Sequence, residues 1–259
     1  YGDDPRDNSV FESEEERDKA FIKLMSQLSS KNEKGIKDLI AEPRKHRLVK
    51  LEQDLAAALI ADGFIEVRTP TIVSKAALAK MTITEDHPLY KQMFFIDSKR
   101  CLRPMLAPNL YYVMRKLRDH TDGPVKIFEI GSCFRAESHS NDHLEEFTML
   151  NLVDMGPQGD TVEKLKKYID IVMGVVGLDY ELSREESDVY KETIDVLVDG
   201  EEVSSGAVGP HVLDPAFDVH EPWCGAGFGL ERLIMMRDGD GSVKKIGRSL
   251  NYLNGYKIN

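Results

Sequence analysis

Ile127-Phe128-Glu129-Ile130-Gly131-Ser132-Cys133-Phe134-Arg135-Ala136-Glu137, followed after a polar turn by His143-Leu144-Glu145-Glu146-Phe147-Thr148-Met149-Leu150-Asn151-Leu152-Val153, decides how this chain is organised. Two apolar runs flank polar residues 138–142, which predicts two antiparallel strands joined by a loop. Side chains alternate along a strand, so Arg135 and Glu137 share one face, and Phe147, Met149, Asn151 and Val153 share another. Where the two faces coincide, one concave surface carries a guanidinium, a carboxylate, an aromatic ring and an amide over an apolar floor. A nucleotide bound beside a second small molecule needs such a surface. The planar fork of Arg135 suits a phosphate. Glu137 can accept from an exocyclic amine, and Phe147 offers a flat face for a base. The alternative is an ordinary hairpin with its charges in water, and this stretch alone leaves both readings open.

Upstream, Ser13-x-x-Glu16 matches a capping box before Ala20, Phe21, Leu24, Met25 and Leu28 at helical spacing. A polar break over 29–32 leads to a second short helix, and Pro43 ends this N-terminal arm, residues 1–44. Leu48, Leu51, Leu55, Ala58 and Leu59 mark a stronger amphipathic helix, with Gly63 at its C-terminal cap. Residues 64–68 read as a strand stopped at Thr69-Pro70, followed by a short helix near 74–80. Residues 94–96 and 101–103 suggest a β-hairpin turning through 97–100. Pro108 opens a helix reaching His120, with Ala107, Leu110, Tyr111 and Met114 along one face. Spacing alone makes that face a core stripe.

Downstream, a helix is expected over 161–176, and strands over 193–198 and 201–208 flank the hairpin turn Asp199-Gly200. Gly225-Ala226-Gly227-Phe228-Gly229 alternates glycine on one strand face before an apolar helix opened by Leu230-Glu231-Arg232. Missing side chains on that face let a ligand approach the backbone. This is not a dinucleotide fingerprint, because Leu230 stands where the third glycine belongs. No phosphate loop and no HExxH pair is present. The elements sum to an α+β fold, an antiparallel sheet with helices packed against it.

Composition sets outer limits. With 259 residues and 41% hydrophobic content, the chain fits one large domain with a small appendage, here 1–44 and 45–259. No apolar run approaches the about 20 residues of a membrane span. No targeting signal is evident at the N-terminus, and the three scattered cysteines form neither a disulfide framework nor a zinc pattern, so a cytoplasmic setting is expected. A net charge of −11 argues against broad electrostatic binding of nucleic acid. The basic clusters at 44–47, 164–167 and 244–248 read first as solvated helix faces.

Taken together, Phe134-Arg135-x-Glu137, His143-x-x-x-Phe147 and Gly225-x-Gly227-x-Gly229-x-Glu231-Arg232 resemble motifs 2 and 3 of the class II aminoacyl-tRNA synthetases. Gly63-Phe64-x-Glu66-Val67-x-Thr69-Pro70 resembles motif 1, which builds the dimer interface in that class. Three further segments narrow the resemblance to the pyrrolysyl-tRNA synthetase family: Arg103-Pro104-Met105-Leu106-Ala107-Pro108-Asn109-Leu110-Tyr111, the 143–152 strand, and Pro222-Trp223-x-Gly225-Ala226-Gly227-Phe228-Gly229. The likeness runs from about Lys45 to the end, and the absence of a large N-terminal RNA-binding domain resembles compact members of that family.

The resemblance implies roles for individual residues. Arg135 holds the α-phosphate of ATP and the attacking carboxylate, and Arg232 and His143 reach the γ-phosphate. Glu137 reads adenine with Phe147 stacked on the ring and Leu144 beside it, while Glu202 and Ser205 bind Mg²⁺. Three residues apart on one strand, those two should point to opposite faces, so either a bulge lies between them or one contact runs through water. The amino-acid pocket is formed by Ala107, Leu110, Tyr111, Met114, Val153, Trp223 and Gly225. Asn151 bonds the amide carbonyl of the substrate side chain, and Tyr190 acts as a lid. The implied activity is ATP-dependent activation of pyrrolysine or a related Nε-acylated lysine and its transfer to tRNA(Pyl) by a homodimer. Val153 and Met114 differ from other branches, and residues 1–44 match only loosely, with tRNA contact their expected role. A paralogue that passes its adenylate to a small molecule, and a non-catalytic sensor of nucleotide or tRNA, remain the rivals.

Overall fold

The computed structural model describes residues 10–136, 143–187 and 191–258. It opens with α1 (Glu14–Ala41), one helix of 28 residues. Ser13 caps it by accepting from the Glu16 N–H at 3.2 Å, and the Glu16 carboxylate accepts from the Glu12 N–H at 3.1 Å. The break expected over 29–32 does not occur. Asn32 instead donates to the Lys257 carbonyl at 2.8 Å and accepts from the Lys257 N–H at 2.7 Å. This tertiary anchor offsets the weak local propensity of the polar stretch.

Next come α2 (Arg47–Ala61), β1 (Ile65–Glu66), β2 (Ile72–Ser74) and α3 (Lys75–Ala79), then β3 (Arg100–Leu102) and α4 (Ala107–Arg118). The hairpin expected over 94–103 is only partly formed: Phe95 and Cys101 make an isolated bridge, and the ladder of β3 is with β2. The long strands β4 (Val125–Phe134) and β5 (Glu146–Met155) pair antiparallel over their full lengths. They are followed by α5 (Thr161–Val176), β6 (Glu181–Ser187), β7 (Lys191–Val198), β8 (Glu201–Gly209), β9 (Trp223–Gly229) and α6 (Leu230–Asp238). A small hairpin, β10 (Tyr252–Leu253) and β11 (Tyr256–Lys257), closes the described chain.

The main sheet has seven strands in the order β1-β4-β5-β9-β8-β7-β6. All its neighbours are antiparallel except β1 and β4, which run parallel. Strand parity divides the interior into two layers. Phe128, Ile130, Leu150, Leu152, Ala226 and Phe228 bury against α2, α5 and α6. Ile127, Val153, Met155 and Trp223 face the other way, toward α4 and the irregular segments around it. The first layer is a continuous helix-on-sheet core; the second encloses a cavity. All three cysteines are buried and free, and burial pushes the Cys133 and Cys224 thiols up to about 12, so both are inert as nucleophiles. No helix among the described residues is long and apolar enough to cross a membrane.

Candidate active site

The cavity is floored by the expected face of β5: Phe147, Met149, Asn151 and Val153 all line it. Ala107, Leu110, Tyr111 and Met114 form one wall, so the helical stripe of α4 faces a pocket as well as the core. Trp223, Gly225, Gly227 and Gly229 of β9, the strand paired with β5, extend the floor. A Cβ at Gly227 would come within 3.2 Å of Met149 Cε and 3.4 Å of Asn151 Oδ1. Glycine there keeps the amide of Asn151 open to a ligand. Asn151 is oriented by donating from Nδ2 to the Ala226 carbonyl at 3.1 Å, which leaves the second N–H of the amide for a bound group.

Arg135 follows the last residue of β4, where its N–H donates to the Glu145 carbonyl at 3.0 Å. Its Nε donates to the Pro104 carbonyl at 3.0 Å, and its guanidinium sits 5.2 Å from the centre of the Phe147 ring. The segment that supplies Pro104 is itself fixed by a buried ion pair. Arg103 Nη1 lies 2.7 Å from Glu129 Oε1, Arg103 Nε donates to the Ser132 carbonyl at 2.7 Å, and Phe134 N donates to the Arg103 carbonyl at 3.0 Å. Thr69 joins by donating its hydroxyl to Glu129 at 2.6 Å, and Asn109 Nδ2 donates to the Thr69 hydroxyl at 2.9 Å. Four separate segments are thereby tied around one guanidinium, and the reach of Arg135 into the cavity is preset.

At the mouth, Arg232 Nη1 donates to the Glu202 carbonyl at 2.8 Å. Glu202 and Ser205 both line the cavity, and a register shift between Val196 and Leu197 explains how. Leu197 pairs with Glu202 while Asp195 pairs with Ser205, so one extra residue on β8 brings the two onto the same face. The bulge alternative is the one realised. Desolvation pushes the Glu202 carboxyl up, Asp195 and Glu185 push the same way, and Arg232 opposes them. Asp195 is 7% exposed, and its Oδ1 is buried without a hydrogen-bond partner among the described residues. Crowded oxygen donors with an orphaned carboxylate oxygen fit a hard divalent cation. Mg²⁺ needs only one or two protein carboxylates when substrate phosphates complete its shell. No group of three or more His, Cys, Asp or Glu that could hold a metal gathers among the described residues.

Glu231, beside Arg232, lines the cavity and is almost fully buried. Both its oxygens accept from the Thr148 N–H at 2.9 Å. Burial pushes its carboxyl from the ordinary 4.5 up to about 7. Between those values the folded protein holds a proton that the unfolded chain has released. Its contribution to stability is complete below 4.5 and lost as pH rises through about 7. Relative to Glu231→Gln, wild-type stability in urea should therefore fall by about 3 kcal/mol between pH 4 and pH 8. Parallel profiles for the two proteins would refute the buried titration.

Thus Arg135, His143, Leu144, Phe147, Glu202, Ser205 and Arg232 line one cavity together with Ala107, Leu110, Tyr111, Met114, Asn151, Val153, Trp223 and Gly225. Glu137 and Tyr190 lie outside the described residues. Ala207 and Glu231 also line the cavity and were not among the expected site residues, whereas Met149 was expected there as part of the β5 face. Ala207 carried a usable signal, since it stands two residues after Ser205 on an alternating strand. The basic clusters are in part spent internally. Arg47 pairs with Asp238 at 2.6 Å and Asp240 at 2.8 Å, Lys167 with Asp62 at 2.5 Å, and Arg248 with Glu146 at 3.3 Å.

A mixed sheet backed by three helices, with its open face holding two arginines, a bulged acidic strand and a glycine-lined strand, defines the catalytic domain of a class II aminoacyl-tRNA synthetase. Residues 37–230 match the family described as Phenylalanyl tRNA synthetase beta chain CLM domain. A threonine–tRNA ligase of Nitrosomonas eutropha is 26% identical over 131 residues, 48% of this chain and 20% of that protein. A histidine–tRNA ligase of Methanococcus maripaludis is 28% identical over 184 residues, 62% of this chain and 43% of that protein. The chain spans less than half the length of these curated relatives. The crystal structure of pyrrolysyl-tRNA synthetase from Desulfitobacterium hafniense superposes with a TM-score of 0.90 at 46% identity, covering 97% of this chain and 91% of that one. The chain belongs to the pyrrolysyl-tRNA synthetase family.

Proposed function

We propose that this protein activates pyrrolysine, or a related Nε-acylated lysine, with ATP and transfers the acyl group to tRNA(Pyl). The observation that carries this reading is the continuity of one face of β5: Phe147, next to Arg135, and the Asn151 amide line the same cavity. A nucleotide at one end and a long amide-bearing side chain at the other meet at Arg135. A carboxylate oxygen of the amino acid attacks the α-phosphorus, the bond to the bridging oxygen of the β-phosphate breaks, and pyrophosphate leaves. The terminal ribose hydroxyl of the tRNA then attacks the acyl carbon, and AMP departs. Neither step needs a nucleophile from the protein, so catalysis rests on positioning and charge stabilisation.

In this reading Arg135 binds the α-phosphate and the attacking carboxylate, and Arg232 and His143 bind the γ-phosphate. Phe147 stacks on adenine beside Leu144, and Glu137 accepts from the adenine amine. Glu202 and Ser205 would hold Mg²⁺, which when bound supplies charge neutralisation to the phosphates. Ala107, Leu110, Tyr111, Met114, Val153, Trp223 and Gly225 enclose the aliphatic chain and its acyl group, with Tyr190 as the lid. Residues 1–44 form an arm on the catalytic domain 45–259 and offer α1 to the tRNA. The protein works in the cytoplasm as a homodimer, a state supported by exposed apolar side chains at Ile65, Ile72, Phe95 and Ile96 on and beside β1–β3.

ATP–pyrophosphate exchange, run with pyrrolysine, an Nε-acylated lysine and each standard amino acid, tests the reading. Exchange with pyrrolysine or the acyl-lysine alone is expected. Exchange with a standard amino acid would overturn the substrate but keep the chemistry.

A further inference from the structure

The strongest unexplained group near the cavity is Asp214. It begins a short 3₁₀ turn, Asp214–Phe217, between β8 and β9, and is 1% exposed. Each of its oxygens is used. Tyr111 donates its hydroxyl to Oδ1 at 2.8 Å, Trp223 donates Nε1–H to Oδ2 at 2.9 Å, and the His211 N–H donates to Oδ2 at 2.5 Å. The two side chains it holds come from different elements, α4 and β9, and both are walls of the cavity. Their rings meet edge-on with centroids 5.7 Å apart, and Tyr111 stacks on Phe217 of the same turn at 4.5 Å. The indole also requires Gly209 across the ladder, where a Cβ would fall 1.9 Å from Nε1.

We propose that Asp214 is a positioning residue for substrate selection: it locks Tyr111 and Trp223 into one arrangement and so fixes the size and shape of the end of the pocket that receives the acyl group. This rests on reading the cavity as an acyl-lysine pocket. Aromatic walls that are merely packed can slide or change rotamer to admit groups of different size. Walls pinned at their polar tips by one buried carboxylate cannot do so without stripping it of both side-chain donors and leaving Oδ1 without the Tyr111 hydroxyl, which is costly. Asp214 itself is walled from the cavity by the rings it holds, so it selects through them.

The test uses the full chain and two readouts. The protein has one tryptophan, so intrinsic emission reports on Trp223 without any substrate. Asp214→Ala and Tyr111→Phe should each make that emission more accessible to acrylamide. Both should raise KM for the preferred acyl-lysine in pyrophosphate exchange, the first by about 10-fold or more, while KM for ATP stays unchanged. Preference among acyl groups of different length should narrow. Asp214→Asn should remain close to wild type, because its amide can accept from Trp223 and His211 while donating to the Tyr111 oxygen. Wild-type emission and an unchanged acyl-lysine KM in Tyr111→Phe, which keeps the ring and the fold, would overturn the proposal. So would an equal rise in KM for ATP, which marks a general structural role. Failure of the wild type to activate any acyl-lysine would instead overturn the reading of the pocket, and shows before a variant is made.

Discussion

Arg135→Ala lowers adenylate formation, measured as pyrophosphate exchange, by at least ~100-fold, the scale of losing one preorganised donor to a charged transition state. The reason for so large an effect lies in how little freedom the side chain has. Its Nε is committed to the Pro104 carbonyl and its guanidinium lies by Phe147, so the direction in which the fork reaches the cavity is set before a ligand arrives. A donor already aimed need not be ordered or desolvated as charge develops on the α-phosphoryl oxygens. Arg135→Lys should be nearly as damaging, since an ammonium keeps the charge but cannot both bond Pro104 and present two parallel donors. Exchange in the alanine variant within a few-fold of wild type would sink the assignment of this face as the ATP site.

The arrangement behind that expectation was largely legible from strand parity. Phe147, Met149, Asn151 and Val153 fall on one face because alternation is a property of the extended backbone, independent of partners. The conflict between Glu202 and Ser205 was visible for the same reason, and the bulge resolves it. The helix over Thr161–Val176 and the Asp199-Gly200 turn were equally plain, being set by local spacing and turn chemistry. What escaped was nonlocal. The preference of β3 for β2 over residues 94–96 depends on a partner far back in the chain. Helix α1 runs through its polar stretch because Asn32 finds Lys257, which no window around Asn32 reveals. Strand β6 is rich in charge and sits at the sheet edge, where neither face needs an apolar pattern. Asp214, followed by proline, resembles an ordinary turn residue, and its buried role depends on Tyr111, over a hundred positions earlier.

Asn151→Ala should relax the choice of amino-acid side chain. Activation of an acyl-lysine falls about 10- to 100-fold, and bulky apolar amino acids of similar length, rejected by the wild type, become substrates. Most of the pocket wall is hydrocarbon and aromatic, which can reward size but discriminates weakly between groups of similar volume. The exception is the Asn151 amide, held by the Ala226 carbonyl so that one N–H points to the ligand space. A side chain with a carbonyl at that position satisfies the donor; one without leaves it stranded in a dry pocket, and this penalty is the basis of rejection. Alanine removes both the donor and its penalty and enlarges the cavity over Gly227, whose lack of a side chain already gives that region its width. Pyrophosphate exchange across acyl-lysines and bulky apolar amino acids measures both effects at once. An unchanged profile would take Asn151 out of recognition and leave shape alone, set by Tyr111 and Trp223, to account for selectivity.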